Sequence, residues 1–380
     1  MINEQRLLKL FRDLVLINSP ALQEKGCVAR VKAQLVAMGL EVTEDDAGIK
    51  LGGNANNLIA WKRGSLPNAP KIFLSAHMDT VEPTPNIQLI EEGGVIRTDG
   101  KTILGADCKS GLAPAVEAVQ VLIDTGEPHG DVCLLFSVAE EIGLRGADAM
   151  DIQDLNLDYG FVLDTGPPVG TFVTRTATHD KLDITIKGRP AHAGKDPENG
   201  LNALQVAADA IHGMKIGRIG PETTANLGSI EGGTATNVVM AEVRIKAEAR
   251  STNVDELDAQ VAHMIDRFES AAAAWGTTVQ IDHKRHYSSY HVADDAPVVR
   301  IAQAASTALG FEPTLRTTLG GSDANIFNAK GLPSIVVATG MDKIHTHEEF
   351  IKVQDLVDTA KIALELIRQS AKVSVDKGKN

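Results

Sequence analysis

Hydrophobic positions along this chain change their period several times, and each period predicts a different element. Residues 4 to 17 and 26 to 38 repeat apolar side chains at helical spacing, and Gly39 stops the second run as a left-handed glycine closes a helix. Four short runs are then almost wholly apolar: KIFLSA at 71–76, VCLLFSV at 132–138, GFVLD at 160–164 and PSIVVAT at 333–339. Runs of that length, rich in branched side chains, suit strands covered on both faces. Between the first two lies GLAPAVEAVQVLI, with helical period. The strand, helix, strand order predicts an α/β fold with a mostly parallel mixed sheet flanked by helices.

The rhythm differs from 178 to 289. KLDITIKG alternates as a half-buried strand does, and LNALQVAADAIHGM is helical. ANLGSIEGG and NVVMAEVRIKAEAR read as two strands joined through Gly232 and Gly233; next come a helix over 254–275 and a strand over 277–286. This βαββαβ order predicts an inserted α+β domain at 178–289, with 1–177 and 290–380 forming the other domain. Residues 355 to 371 are helical, and 372–380 read as a frayed tail.

Composition narrows the function classes. A chain of 380 residues with 43% hydrophobic and 23% charged content buries a large core. The net charge of -13 argues against a nucleic acid backbone or an anionic membrane as partner. No apolar segment reaches the ~20 residues a membrane span needs. Three scattered cysteines make no disulfide framework, and the amphipathic N-terminus lacks the apolar core of a signal peptide, so a cytoplasmic protein is expected.

The candidate chemistry sits just after the apolar runs. His77 and Asp79 in SAHMDTV form an H-x-D pair: either an imidazole metal ligand with a carboxylate that orients it, or two turn residues. Asp107 in GKTILGADCKSG is either a helix cap or a carboxylate able to bridge two cations, with glycines allowing close approach. Cys108 beside it reads as inert packing, having no paired His and Asn. Glu140 and Glu141 end an apolar strand side by side, so one can bind metal while the other acts as a base; the competing reading is a solvated first helical turn. Asp164 before a Gly-Pro turn is a ligand or a turn cap, and GMDKIHTHEEF offers His345 or His347. Four strand-like runs each ending near a ligand-type side chain point to a dinuclear metallohydrolase, because clustered buried carboxylates need a cation.

The ordered motifs S-A-H-M-D-T, G-A-D, A-E-E-I-G, D-T-G and H-T-H-E-E-F, with G-R-P-A-H-A-G-K-D-P-E-N-G in the insert, resemble the dinuclear zinc exopeptidases related to peptidase T. The resemblance implies a catalytic domain with an inserted lid. It implies two Zn2+, replaceable by Co2+ or Mn2+: one held by His77, Asp107 and Asp164, the other by Asp107, Glu141 and His345. Asp79 would orient His77, and Glu140 would be the general base. In the lid, His192 would stabilise the oxyanion, and Asn237 and Arg250 would hold substrate. The resemblance favours His345 over His347, because the family's ligand stands four residues before a Glu followed by an aromatic, here Glu349 and Phe350. Asp323 in LGGSDANIF either lies near the site or caps a short helix. The implied activity is hydrolysis of short peptides near the N-terminus. An aminoacylase using the same metal pair is the rival enzyme, and a catalytically dead scaffold the rival from another class. A homodimer through the lid is a further expectation.

Overall fold

The computed structural model describes residues 1–374, so most of the expected tail lies outside the described residues. The chain divides into two compact units. The first comprises Met1–Arg175, Tyr290–Thr317 and Ser322 onward, and the second comprises Thr176–Ser289 with Thr318–Gly321.

The first unit is built on an eight-stranded sheet. In chain order its strands are β1 (Glu41–Glu44), β2 (Leu58–Lys62), β3 (Ile72–His77), β6 (Val132–Ser137), β7 (Tyr159–Thr165), β8 (Thr171–Arg175), β14 (Thr314–Thr317) and β15 (Ser334–Ala338). Across the sheet the order is β1-β2-β6-β3-β7-β15-β8-β14. The central neighbours β6, β3, β7 and β15 pair parallel, while β1, β2 and the β15–β8 pair are antiparallel, which makes the sheet mixed. All six residues of β3 and of β6 are buried, as strands covered on both faces should be. Helices Glu4–Val15, Ala106–Thr125, Pro297–Ala308 and Val353–Ser370 pack as one set against this sheet; Ala47–Leu51, Arg145–Ala149 and Asp323–Ala329 form another. The strands β4 (Leu89–Glu92), β5 (Val95–Thr98) and β16 (Phe350–Lys352) make a small separate sheet.

The second unit is an antiparallel sheet, β10-β11-β12-β9-β13, from β9 (Thr178–Lys187), β10 (Gly217–Gly220), β11 (Thr223–Gly232), β12 (Glu242–Ser251) and β13 (Val279–Tyr287). Helices Ala203–Ile211 and Val254–Ala274 cover one face, where Leu182, Ile184, Ile245, Leu257 and Phe268 form its core. Each such fully buried large side chain contributes about 1.5–3 kcal/mol of burial. The βαββαβ reading needs one change: the short strand β10 intervenes between the first helix and β11. Its sequence, GRIG, is too short and glycine-rich for period to reveal it. The strand expected from Asn237 starts only at Glu242.

Candidate active site

Parallel pairing brings β3, β6, β7 and β15 to a common carboxyl edge, where open α/β sheets place their sites. β3 ends on His77, β7 carries Asp164 one residue from its end, and β6 leads directly into Glu140 and Glu141. Asp107 comes from the start of helix Ala106–Thr125, where it and Cys108 depart from helical dihedrals. Gly111 fixes how close that helix lies to β7: a Cβ there would stand 1.9 Å from the Leu163 carbonyl oxygen. Glycine therefore lets the helix deliver Asp107 beside Asp164.

The donor atoms form two groups, each with its atoms within 4.8 Å of one another: His77, Asp107 and Asp164 with the Cys108 sulfur, and Asp107, Glu141 and His345. His77 Nε2 lies 3.0 Å from Asp107 Oδ1 and 3.7 Å from Asp164 Oδ1. His345 Nε2 lies 3.1 Å from both Asp107 Oδ2 and Glu141 Oε2. Asp107 thus faces each group with a different oxygen. Two ligands of one tetrahedral zinc, at ~2.1 Å each, sit about 3.4 Å apart, so these separations fit a shared cation. Glu141 Oε1 is buried with no partner, a further acceptor suited to a positive charge. The Cys108 thiol instead donates to the Leu163 carbonyl at 2.8 Å, and burial pushes its pKa well up, which keeps it protonated.

Burial and charge crowding set the proton affinities of the cluster. Burial, then the neighbouring carboxylates Asp164, Asp323 and Glu141, pushes Glu140 well above the usual carboxyl range, with His77 opposing. Asp164 is raised likewise, by burial and by Asp107. Asp107 resists the desolvation of its own burial and is lowered, because His345 and His77 hydrogen-bond to it. The same contacts, with Asp107 and Glu141, push His345 up to about 10. Carboxylates so crowded and buried are the donor set that a divalent cation would neutralise.

His77 Nδ1 is 3.1 Å from the Asp79 carbonyl oxygen and 3.4 Å from its carboxylate. A proton on Nδ1 leaves the Nε2 lone pair facing Asp107 and Asp164, the tautomer a ligand requires. The Asp79 carboxylate has a second task that the sequence did not reveal: its two oxygens accept the backbone N–H groups of Glu140 and Glu141, each at 3.0 Å. Upstream, the N–H of Ala139 donates to Glu24 Oε1 at 2.9 Å, and that of Val138 to Asn57 Oδ1 at 2.9 Å. Four consecutive backbone donors are thus held by side chains from three other parts of the chain. This matters because Ala139 has φ +53, a left-handed conformation that non-glycine residues keep only when their surroundings enforce it. Glu24 and Asn57, both fully buried, carried no sequence signal for this role; no periodicity encodes a contact across 115 or 81 residues.

His347 turns away to Glu82, at 2.8 Å, so His345 alone joins the cluster. Asp323 is not the cap of its helix. Ser322 holds that position, and Asp323 is buried with one oxygen on the Ser137 hydroxyl and the other unpartnered. In the second unit, the loop bearing His192 pairs with the segment bearing Asn237: His192 bridges to Val238, and Ala193 N–H donates to the Asn237 carbonyl at 2.9 Å. His192 is exposed, and its Nδ1 accepts the Gly194 N–H at 3.1 Å. Arg250 already has a two-point pair with Glu248, at 3.1 Å twice, and donates to the Leu319 carbonyl at 3.2 Å.

Among the described residues no helix is long and apolar enough to cross a membrane. Residues 73–369 match the model of peptidase family M20/M25/M40. The chain is 40% identical to the YqjE protein of Bacillus subtilis strain 168 over 98% of its own length and 100% of that protein's. Among solved structures it resembles a tripeptidase from Staphylococcus aureus subsp. aureus Mu50, with TM-score 0.92 and 39% identity, covering 98% of this chain and 100% of that one. It also resembles aminopeptidase PepT from Bacillus cereus ATCC 10987, with TM-score 0.87 and 40% identity over the same shares. A strand-edge cluster of carboxylates and imidazoles on a mixed sheet, in a chain that also carries a separate antiparallel unit, is thus accounted for: the chain belongs to peptidase family M20/M25/M40 and is a peptidase T-like hydrolase.

Proposed function

We propose that this protein is a dimetal exopeptidase that removes N-terminal residues from short peptides, with the first unit as catalytic domain and the second as lid. The observation that carries this reading is the pair of donor groups sharing Asp107 through its two oxygens. His77, Asp107 and Asp164 would hold one ion and Asp107, Glu141 and His345 the other. Imidazole with carboxylate suits zinc, with cobalt or manganese as substitutes. When bound, such a pair supplies the charge that makes a water acidic near neutral pH and polarises the scissile carbonyl.

The remaining chemistry belongs to the chain's own groups. Glu140 takes the proton of the attacking water and returns it to the leaving amine. Burial already gives its carboxyl a high proton affinity, which suits a group that must accept and release a proton. Asp79, Glu24 and Asn57 hold its backbone so that the carboxylate does not have to be ordered at each turnover. His192, with Nδ1 engaged by Gly194 N–H, carries its neutral-form proton on Nε2, where it can donate to a developing oxyanion. Asn237 and Arg250 would contact substrate, Arg250 sharing its charge with Glu248. The names of the solved relatives, a tripeptidase and an aminopeptidase, favour peptides over N-acyl amino acids. The acidic, disulfide-free chain fits a cytoplasmic enzyme.

Incubating zinc-loaded protein with tripeptides, dipeptides and N-acetyl amino acids tests this. Preferential release of the N-terminal residue from tripeptides is the expected outcome. Turnover of N-acetyl amino acids alone would establish the aminoacylase instead, and no hydrolysis with zinc, cobalt or manganese would leave a scaffold.

A further inference from the structure

Glu349 is 1% exposed, yet it is a carboxylate with no basic partner among its hydrogen bonds. Its Oε2 accepts the N–H groups of Leu104 and Gly105, at 2.8 and 2.7 Å, and its Oε1 accepts the N–H of Asp107 at 3.0 Å. These three donors lie in the turn that leads to Asp107, where Gly105 has φ +73. Four residues before Glu349, His345 Nε2 reaches the side chain of the same aspartate, at 3.1 Å. The loop from His345 to Glu349 therefore grips Asp107 at both ends, by its main-chain N–H and by its carboxylate. His345 itself has φ +61, a left-handed conformation that its surroundings must enforce. The N–H of Glu349 donates to Thr346 at 3.0 Å, and the next residue, Phe350, begins β16, which pairs with β5. The loop is thus anchored at its far end to a sheet.

From this we infer that Glu349 is a positioning residue: it locks the turn before Asp107 to the loop bearing His345, so that the shared carboxylate and the imidazole are set in place together. The inference rests on the proposed metal pair and adds to it a residue that is not itself a ligand. Both oxygens accept main-chain donors, so neither can be replaced by an amide without setting N–H against N–H. Glu349→Gln, ordinarily a mild change, is here a mismatch at the turn preceding Asp107. Partners that orient metal ligands typically change affinity by roughly ten- to a hundredfold when altered.

The test is titration of chelator-stripped protein with Co2+, read by visible absorption and by bound stoichiometry. Wild type should take two ions. Glu349→Gln should lose affinity by roughly ten- to a hundredfold, and an altered ligand-field spectrum should mark the ion that fills last, while the far-ultraviolet circular dichroism of the apo protein is unchanged. Two ions bound with wild-type affinities and spectra would overturn the inference. Fewer than two in wild type would instead sink the metal pair on which it rests. Should Glu349→Gln fail to fold, Glu349→Ala is titrated with and without formate, whose carboxylate can take the three donors. Restored affinity with formate supports the role, and indifference to formate overturns it.

Discussion

The edge of the large sheet and the loop bearing His192 hold the side chains proposed for catalysis in opposite ways. At the sheet edge, Glu140 is 8% exposed, and each backbone N–H from Val138 to Glu141 ends on a side chain drawn from elsewhere. In the other loop, His192 is exposed, and although its backbone bridges to Val238, its imidazole is held, among the described residues, only by the local N–H of Gly194. A group that must keep a perturbed proton affinity beside other carboxylates needs a rigid, dry frame. A group that donates one hydrogen bond to a transient charge needs only the right tautomer and freedom to arrive.

That contrast breaks if the two histidine and glutamate roles respond alike. The largest expected effect is Glu140→Gln: metal content retained by elemental analysis, with kcat on a tripeptide lower by roughly 10²–10⁴-fold, the range for a positioned general base. Wild-type turnover with full metal would remove Glu140 from the mechanism. His192→Ala comes next, with kcat lower by roughly 10²–10³-fold, as for loss of an oxyanion donor. Its urea midpoint and metal stoichiometry should match wild type, since the exposed imidazole supports little of the fold.

Glu24 sharpens the rigid side of the comparison through two substitutions. Glu24→Ala strips the acceptor from the N–H groups of Leu22 and Ala139, so unfolding in urea should show a loss of roughly 2–4 kcal/mol and kcat should fall with it. Glu24→Gln keeps Oε1 for both donors and places its NH2 where Oε2 has no partner, so stability and kcat should stay close to wild type. Equal damage from both would mean that charge, and not hydrogen bonding, is what Glu24 supplies.

The smallest effect concerns pH. Burial pushes the folded Asp323 carboxyl up to about 6 from an ordinary 3.8. A raised carboxyl contributes stability while protonated, below about pH 4, and loses that contribution as pH rises through 6. In chelator-treated protein, Asp323→Asn, permanently neutral, should therefore gain thermal stability relative to wild type between pH 4 and 7. Parallel midpoints across that range would place Asp323 in a wetter setting than its burial implies.

Much of this was legible in the chain. The four apolar runs became β3, β6, β7 and β15 within one or two residues of their expected ends, because strands buried on both faces have to be apolar throughout. Half-buried strands such as Thr178–Lys187 showed in their alternation, but short strands with almost no buried side chain were not legible. Thr314–Thr317 is largely exposed at the sheet edge, and Glu41–Glu44 has no buried residue at all. Of the two histidines in H-T-H, the residues alone left the choice open and the family resemblance favoured His345; the fold turns His347 to Glu82.

By itself, the sequence determined which side chains of the cluster stand at strand ends and helix starts, since local burial period and turn residues dictate where a strand stops and which side chain its turn presents. Only the tertiary structure decided what holds those side chains still. Glu24, Asn57, Asp79 and Glu349 reach their backbone donors across 61 to 245 residues. A buried N–H must find an acceptor, but nothing in its local sequence says which distant carboxylate or amide the fold will bring to it.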